Sequence, residues 1–249
     1  MAQMIAADRL TKIYNDPRRG DVVAVDSVSF ECVEGEIFGI LGPNGAGKTT
    51  TLRMLATILS PTSGTALLNG YDVNLEARAV RGSIGYLSGE TGLYGRLTPR
   101  EILLYFGRLN HYPEEKLPAR VDALIALFEM HEFAGVRCEK LSTGMKQKVS
   151  IARAVVHDPP ILIFDEPTAG LDILVADALL TYIEDCRTHG KCVVFSTHVM
   201  SEAERLCDRL AIIHRGKILD TGSLEDLRHR TGERFLEKIF LSLVRGERP

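Results

Sequence analysis

Residues 42–49 read Gly-Pro-Asn-Gly-Ala-Gly-Lys-Thr, three glycines leading into a lysine and a hydroxyl residue. This is the spacing G-x-x-x-x-G-K-[ST] that a polyphosphate-binding loop requires. Gly42, Gly45 and Gly47 free the backbone to turn consecutive N–H groups onto an anion, and a helix N-terminus behind them adds to the pull. Asn44, Ala46 and Thr50 belong to the same binding segment. Lys48 is the residue to reach the β- and γ-phosphates, and the Thr49 hydroxyl the one to complete a Mg²⁺ shell.

Phosphoryl transfer to water needs three further parts: a metal ligand opposite the loop, a group that orients the water, and one that senses the γ-phosphate. Ile161-Leu162-Ile163-Phe164-Asp165-Glu166 is an apolar run that ends in two acids. Asp165 is placed to bind Mg²⁺ directly or through water. Glu166 points differently and is the candidate to polarise the attacking water. His198 ends the next apolar run, Lys191 to His198, within hydrogen-bond reach of a γ-phosphate. The other six histidines have no such position and read as structural.

The elements around these residues must bring strand ends to one edge. Glu36 to Leu41 is a short buried strand and Thr50 to Ala56 a helix, the context the glycine loop needs. The runs at 161–166, 191–198 and 209–214, with a helix over about 173–187, form βα units of a largely parallel sheet whose ligand sits at its carboxyl ends. Residues 4–33 alternate as two or three antiparallel strands around a polar turn at Asn15 to Asp21. Tyr14, just before that turn, suits either stacking on a purine or covering the sheet edge. Further strands are expected at 65–70 and 84–87. From Thr98-Pro99, a helix start with proline at its first position, to about His157, helical spacing dominates. Residues 235–244 form an amphipathic helix expected to pack on its own domain.

With 249 residues the chain is long enough for one large α/β domain with a subdomain. A formal charge of −3 gives no bulk reason to expect a nucleic acid partner. Five cysteines without C-x-x-C spacing argue for reduced thiols and against zinc. The first residues lack a basic segment followed by an apolar core, as a secretion signal would have. No stretch of about 18 apolar residues is present, so a membrane role would need a span from another chain.

Leu141-Ser142-Thr143-Gly144-Met145-Lys146-Gln147-Lys148, continuing to Ala154, resembles the signature segment of the ABC-type ATPases, in the variant with threonine third. Together with residues 42–49, Phe164 to Asp172 and Ser196-Thr197-His198, the resemblance covers nearly the whole chain in the right order. It implies a P-loop NTPase with a mostly parallel core sheet, an N-terminal antiparallel β subdomain and an inserted α-helical subdomain. The ATPase domain would span 1–227, with the insertion at about 90–157, and 228–249 would be a helical tail. It also implies ATP and Mg²⁺ as cofactors and a head-to-tail homodimer in which Ser142, Thr143 and Gly144 of one copy close over ATP on the other. Asp172 would lie at the dimer seam, and Tyr14 matches the adenine-stacking position. The partner implied is a separate membrane permease of an export system, with this chain on the cytoplasmic face of the membrane. Thr143 to Gln147, Ser88-Gly89 and Phe235 to Leu241 look most like the sodium-exporting branch; drug, lipid and polysaccharide exporters of similar build are the alternatives.

Two other classes fit less well. Ribosome-acting relatives usually join two ATPase halves by a charged linker and DNA-repair relatives carry long coiled-coil insertions, neither of which is present. Glu166 and His198 argue against a sensor that does not hydrolyse. One departure from the family stands out: after the strand at 84–87 the family has a glutamine where this chain has Gly89, which has no side chain to offer a metal or a water. Ser88 or Glu90, acting through water, is expected to take part of that role. Turnover in Ser88→Ala and Glu90→Ala tests this, with a loss expected in at least one; wild-type rates in both would exclude it.

Overall fold

The structure is a computed structural model that describes residues 2–17, 20–88 and 92–246. Gly89 and Glu90 lie outside the described residues. Strands β1 (Gln3–Asp16) and β2 (Gly20–Val33) form a long antiparallel hairpin. Their ladder continues further than the sequence suggests. Asn15 pairs with Asp21, and its side-chain amide donates to the Asp21 carboxylate at 2.9 Å, so the ladder takes in both ends of the expected polar turn.

Strand β3 (Ile37–Leu41) runs into the glycine loop and helix α1 (Lys48–Leu55). Strand β4 (Ser63–Leu68) and the short β5 (Tyr71–Asp72) join the first hairpin in a four-stranded antiparallel sheet ordered β2-β1-β4-β5. Helix α2 (Ala77–Ser83) leads into β6 (Ile84–Ser88). The expected helical segment divides into α3 (Pro99–Leu109), α4 (Leu117–Leu127) and α5 (Thr143–Val155). Helix α3 starts on a capping box, with the Thr98 hydroxyl accepting from the Glu101 N–H and the Glu101 carboxylate accepting from the Thr98 N–H.

The chain then builds β7 (Ile161–Asp165), α6 (Ile173–Thr188), β8 (Cys192–Thr197), α7 (Met200–Leu206) and β9 (Arg209–His214). It ends with β10 (Lys217–Gly222), α8 (Leu224–Thr231) and α9 (Leu236–Arg245). The second sheet is ordered β10-β9-β3-β8-β7-β6, with parallel pairing from β9 to β6 and β10 antiparallel at one edge.

Every residue of β3, β7 and β8 is buried, as a parallel sheet covered on both faces requires. Side chains alternate along a strand, so these strands serve two cores at once. Ile161, Ile163, Cys192 and Val194 face the layer made by α1 and the antiparallel sheet. Leu162, Phe164, Val193 and Phe195 face the layer made by the inserted helices and α6. Phe30 and Phe38 stack at 5.1 Å between ring centres and tie the antiparallel sheet to the parallel one. Helix α9 buries Leu236, Ile239 and Leu243 against Leu41, Leu210, Ile212 and Leu227. All five cysteines are free.

Phe164 has no exposed surface. Truncation in Phe164→Ala is expected to lower the unfolding free energy by about 3–5 kcal/mol, read from urea denaturation without nucleotide.

Candidate active site

The loop after β3 takes its shape from contacts that exclude side chains. A Cβ on Gly42 would stand 2.3 Å from the Ile213 carbonyl oxygen, and one on Gly47, at φ 106°, would stand 2.7 Å from the Ala24 carbonyl oxygen. Glycine is the residue that fits both places. The Gly216 N–H donates to the Ala46 carbonyl at 2.9 Å and fixes the loop against the β9–β10 turn. Inside the loop the Lys48 side chain is 3 % exposed. Its ammonium donates to the carbonyls of Gly42 at 2.7 Å and Pro43 at 3.1 Å, and pairs with Glu166 Oε1 at 2.9 Å. Ala24, Asn44, Gly45, Gly47, Lys48, Thr49, Thr50 and Glu166 line a cavity of about 340 Å³.

Asp165 ends β7 in the alternation that faces α1, which is why its carboxylate meets Thr49. The Thr49 hydroxyl donates to Asp165 Oδ1 at 3.2 Å, and the Ser196 hydroxyl donates to the same oxygen at 2.7 Å. Burial pushes the Asp165 carboxyl above its usual range, against the two hydroxyl donors that favour its charged form. Glu166 follows with φ 46°, in the left-handed region. Its N–H donates to both the Ser196 carbonyl, at 3.2 Å, and the Ser196 hydroxyl, at 3.0 Å. Its carboxylate bridges Lys48 and His198, whose Nδ1 lies 3.2 Å from Oε2. Burial would raise the Glu166 carboxyl, but the Lys48 hydrogen bond and charge, with those of His198, outweigh it and hold the group below its usual range. Beside His198, the Thr197 hydroxyl donates to Glu202 at 2.6 Å and accepts from the Val199 N–H at 2.9 Å.

The structure thus brings Lys48, Thr49, Asp165, Glu166 and His198 together and leaves Tyr14, Ser142, Thr143, Gly144 and Asp172 apart. Ser142, Thr143 and Gly144 do not line the cavity. Ser142 caps α5, its hydroxyl accepting from the Met145 N–H at 3.3 Å, and both it and Thr143 are exposed. Asp172 has a similar local duty: its carboxylate accepts from the N–H groups of Leu174 and Val175 at the start of α6. Tyr14 lies on β1, 42 % exposed, with the Lys12 ammonium 5.5 Å from its ring centre. Ser88 ends β6 in register with Asp165 and is buried, whereas Glu90 lies outside the described residues. Gln147 of α5 donates to the Pro167 carbonyl at 3.0 Å, a direct tie between the Ser142 helix and the segment that carries Glu166.

Ser196 was not picked out by spacing. Besides its place in the Ser196-Thr197-His198 segment, its sequence signal is a small polar residue at the end of an otherwise apolar strand.

Glycine loop, helix, buried lysine and strand-end acids on a parallel sheet define a P-loop nucleoside triphosphatase. A family model described as ABC transporter matches residues 25–169. The "ABC transporter ATP-binding protein NatA" of Bacillus subtilis (strain 168) is 42 % identical over 98 % of this chain and 99 % of its own. The "Nod factor export ATP-binding protein I" of Paraburkholderia xenovorans (strain LB400) is 40 % identical over 88 % of this chain and 70 % of its own. Among solved structures, the ATP-binding subunit of an ABC transporter superposes with TM-score 0.89 at 30 % identity, covering 97 % of this chain and 99 % of its own. A dimeric ATP-binding cassette in a post-hydrolysis state with ADP and phosphate superposes with TM-score 0.81 at 26 % identity, covering 88 % of this chain and 98 % of its own. The chain belongs to the ABC transporter family and is one of its ATP-binding, ATP-hydrolysing members.

The raised Asp165 carboxyl has a consequence for stability. Its charged form costs the folded state most above the folded-state pKa, and the cost disappears as pH falls below the ordinary aspartate value of about 3.9. Asp165→Asn is therefore expected to melt higher than wild type at pH 7.5 without nucleotide, on the order of a few degrees, with the gap closing as pH is lowered. Thermal melts across pH check this.

Proposed function

We propose that this chain is the ATP-hydrolysing subunit of an export system, acting as a head-to-tail homodimer on a separate membrane permease. The observation that carries the reading is the division of the site. Lys48 and Glu166 line an open cavity and His198 contacts Glu166, while Ser142 and the N-terminus of α5 stand elsewhere on the same chain. A second copy related by a two-fold axis supplies the missing wall to each site. The dimeric relative with bound ADP and phosphate supports this arrangement.

Within one site we assign Lys48 to the β- and γ-phosphates, Glu166 to the attacking water, His198 to the γ-phosphate, and Tyr14 to the base. Asp172 is assigned to the seam between copies. For Mg²⁺, Thr49 and Asp165 offer the hydroxyl and carboxylate oxygens that a hard cation takes. The described residues hold no cluster of three or more His, Cys, Asp or Glu side chains fit to hold a metal, which suits an ion that draws its remaining ligands from phosphate and water. When bound, Mg²⁺ supplies neutralisation of charge on the phosphate oxygens. Nucleotide that touches both copies only when they are closed favours the closed dimer, and hydrolysis removes that preference.

No described helix is long and apolar enough to cross a membrane, and we assign the transport path to the separate permease. Exposed Ile58, Tyr94, Tyr105 and Leu109 surround or adjoin a cavity of about 390 Å³ beside β6, an apolar surface of the kind that marks a protein interface. This supports a permease docked there from the cytoplasmic side of the membrane. For the cargo, we read sodium from the segments at Thr143 to Gln147, Ser88-Gly89 and Phe235 to Leu241. The relative named for Nod factor export favours a second reading, a larger organic cargo.

ATPase assays over a range of protein concentrations test the dimer and the base together. Wild-type turnover per chain is expected to rise with concentration until dimers saturate. Glu166→Gln is expected to lose about 10²–10⁴-fold of it while still binding ATP. Full turnover by a strictly monomeric preparation would overturn the shared site, and unchanged turnover in Glu166→Gln would reject Glu166 as the base.

A further inference from the structure

Asp165 and Ser196 face each other in the parallel register of β7 and β8. Register neighbours project from the same face of a sheet, here the face toward α1. Ser196 has no exposed surface. A serine hydroxyl has one hydrogen to donate and lone pairs to accept with, and here both capacities are used on the two acids. The hydrogen goes to Asp165 Oδ1 at 2.7 Å, and the oxygen accepts from the Glu166 N–H at 3.0 Å. That N–H is shared with the Ser196 carbonyl at 3.2 Å, so one residue grips Glu166 at two points.

The two contacts have different consequences. At Asp165, the Ser196 and Thr49 hydroxyls converge on one carboxylate oxygen and fix the rotation of the group. At Glu166, the grip holds a backbone with φ 46°, a conformation that residues other than glycine keep only where their surroundings impose it. Because φ at this residue sets where its side chain leaves the strand, the same grip aims the carboxylate at Lys48 and His198.

We propose that Ser196 is a positioning residue for ATP hydrolysis, its single buried hydroxyl setting the rotation of the Asp165 carboxylate and the direction of Glu166 at the same time. The inference rests on the roles given above to Asp165 and Glu166. A residue that only fills space in β8 would affect stability without touching the metal dependence of nucleotide binding or the chemical step. Ser196 affects both, because the outer partners of a metal-binding carboxylate orient it.

The test uses Ser196→Ala, which deletes the hydroxyl, and Ser196→Thr, which keeps it. In Ser196→Ala, kcat is expected to fall about 10–100-fold, with KM for ATP rising only as far as the weakened Mg²⁺ effect requires. In the Glu166→Gln background, where ATP is not consumed, equilibrium titration is expected to show that Mg²⁺ strengthens ATP binding less when Ser196 is alanine. Threonine is expected to restore kcat to within about threefold of wild type and to recover the Mg²⁺ effect. Should the alanine variant not fold, Ser196→Cys keeps the volume with a weaker donor and carries the same expectations in milder form.

Wild-type kcat and Mg²⁺ effect in Ser196→Ala would overturn the proposal. So would a well-folded threonine variant as impaired as alanine, or a loss of ATP affinity of equal size with and without Mg²⁺. The underlying reading fails separately: if Glu166→Gln alone leaves turnover intact, the assignment of Glu166 falls, whereas loss in Glu166→Gln with normal turnover in Ser196→Ala removes only the role of Ser196.

Discussion

A buried ammonium needs partners for all its hydrogens, and much of the site is arranged to provide them for Lys48. Two come from the carbonyls of Gly42 and Pro43, which is possible because the glycine loop doubles back over its own helix. The third comes from Glu166, an acid delivered by a strand more than a hundred residues later. That delivery depends on β3, β8 and β7 lying side by side and ending level, since the acid and the lysine must meet at one sheet edge. Glu166 in turn reaches His198. A single buried charge therefore connects three strand ends, and the packing of both cores serves to keep those ends in line.

How much of this was legible in the sequence depended on how local each signal was. The glycine loop and the strand-end acids are written in consecutive residues, and their chemistry follows from type and spacing. The parallel strands at 161–165 and 192–197 announced themselves as unbroken apolar runs because both their faces are covered. The polar turn at Asn15 to Asp21 was drawn too long, because paired polar side chains can extend a hairpin ladder beyond its apolar part. Strand β10 and helices α2, α7 and α8 are short and partly polar, and they exist because of what they pack against.

Ser196 shows the limit most clearly. The resemblance marks Ser196-Thr197-His198 as a segment but gives Ser196 no duty of its own. Its contacts arise from the register between β7 and β8, a property of two segments some thirty residues apart that a pattern of residue types does not encode. Ser142 and Asp172 show the converse. Their family positions were readable, yet within one chain the structure gives each an ordinary duty at the start of a helix. Such duties hold the two turns in a defined shape, and a turn of defined shape can be recognised by another molecule.

The hydrogen bond from Gln147 to the Pro167 carbonyl joins helix α5 to the segment just after Glu166. A single hydrogen bond thus separates the helix that Ser142 caps from the residue next to Glu166, the acid proposed to activate water. In the proposed dimer, the same bond lies between the surface that meets the second copy and the acid assigned to the water.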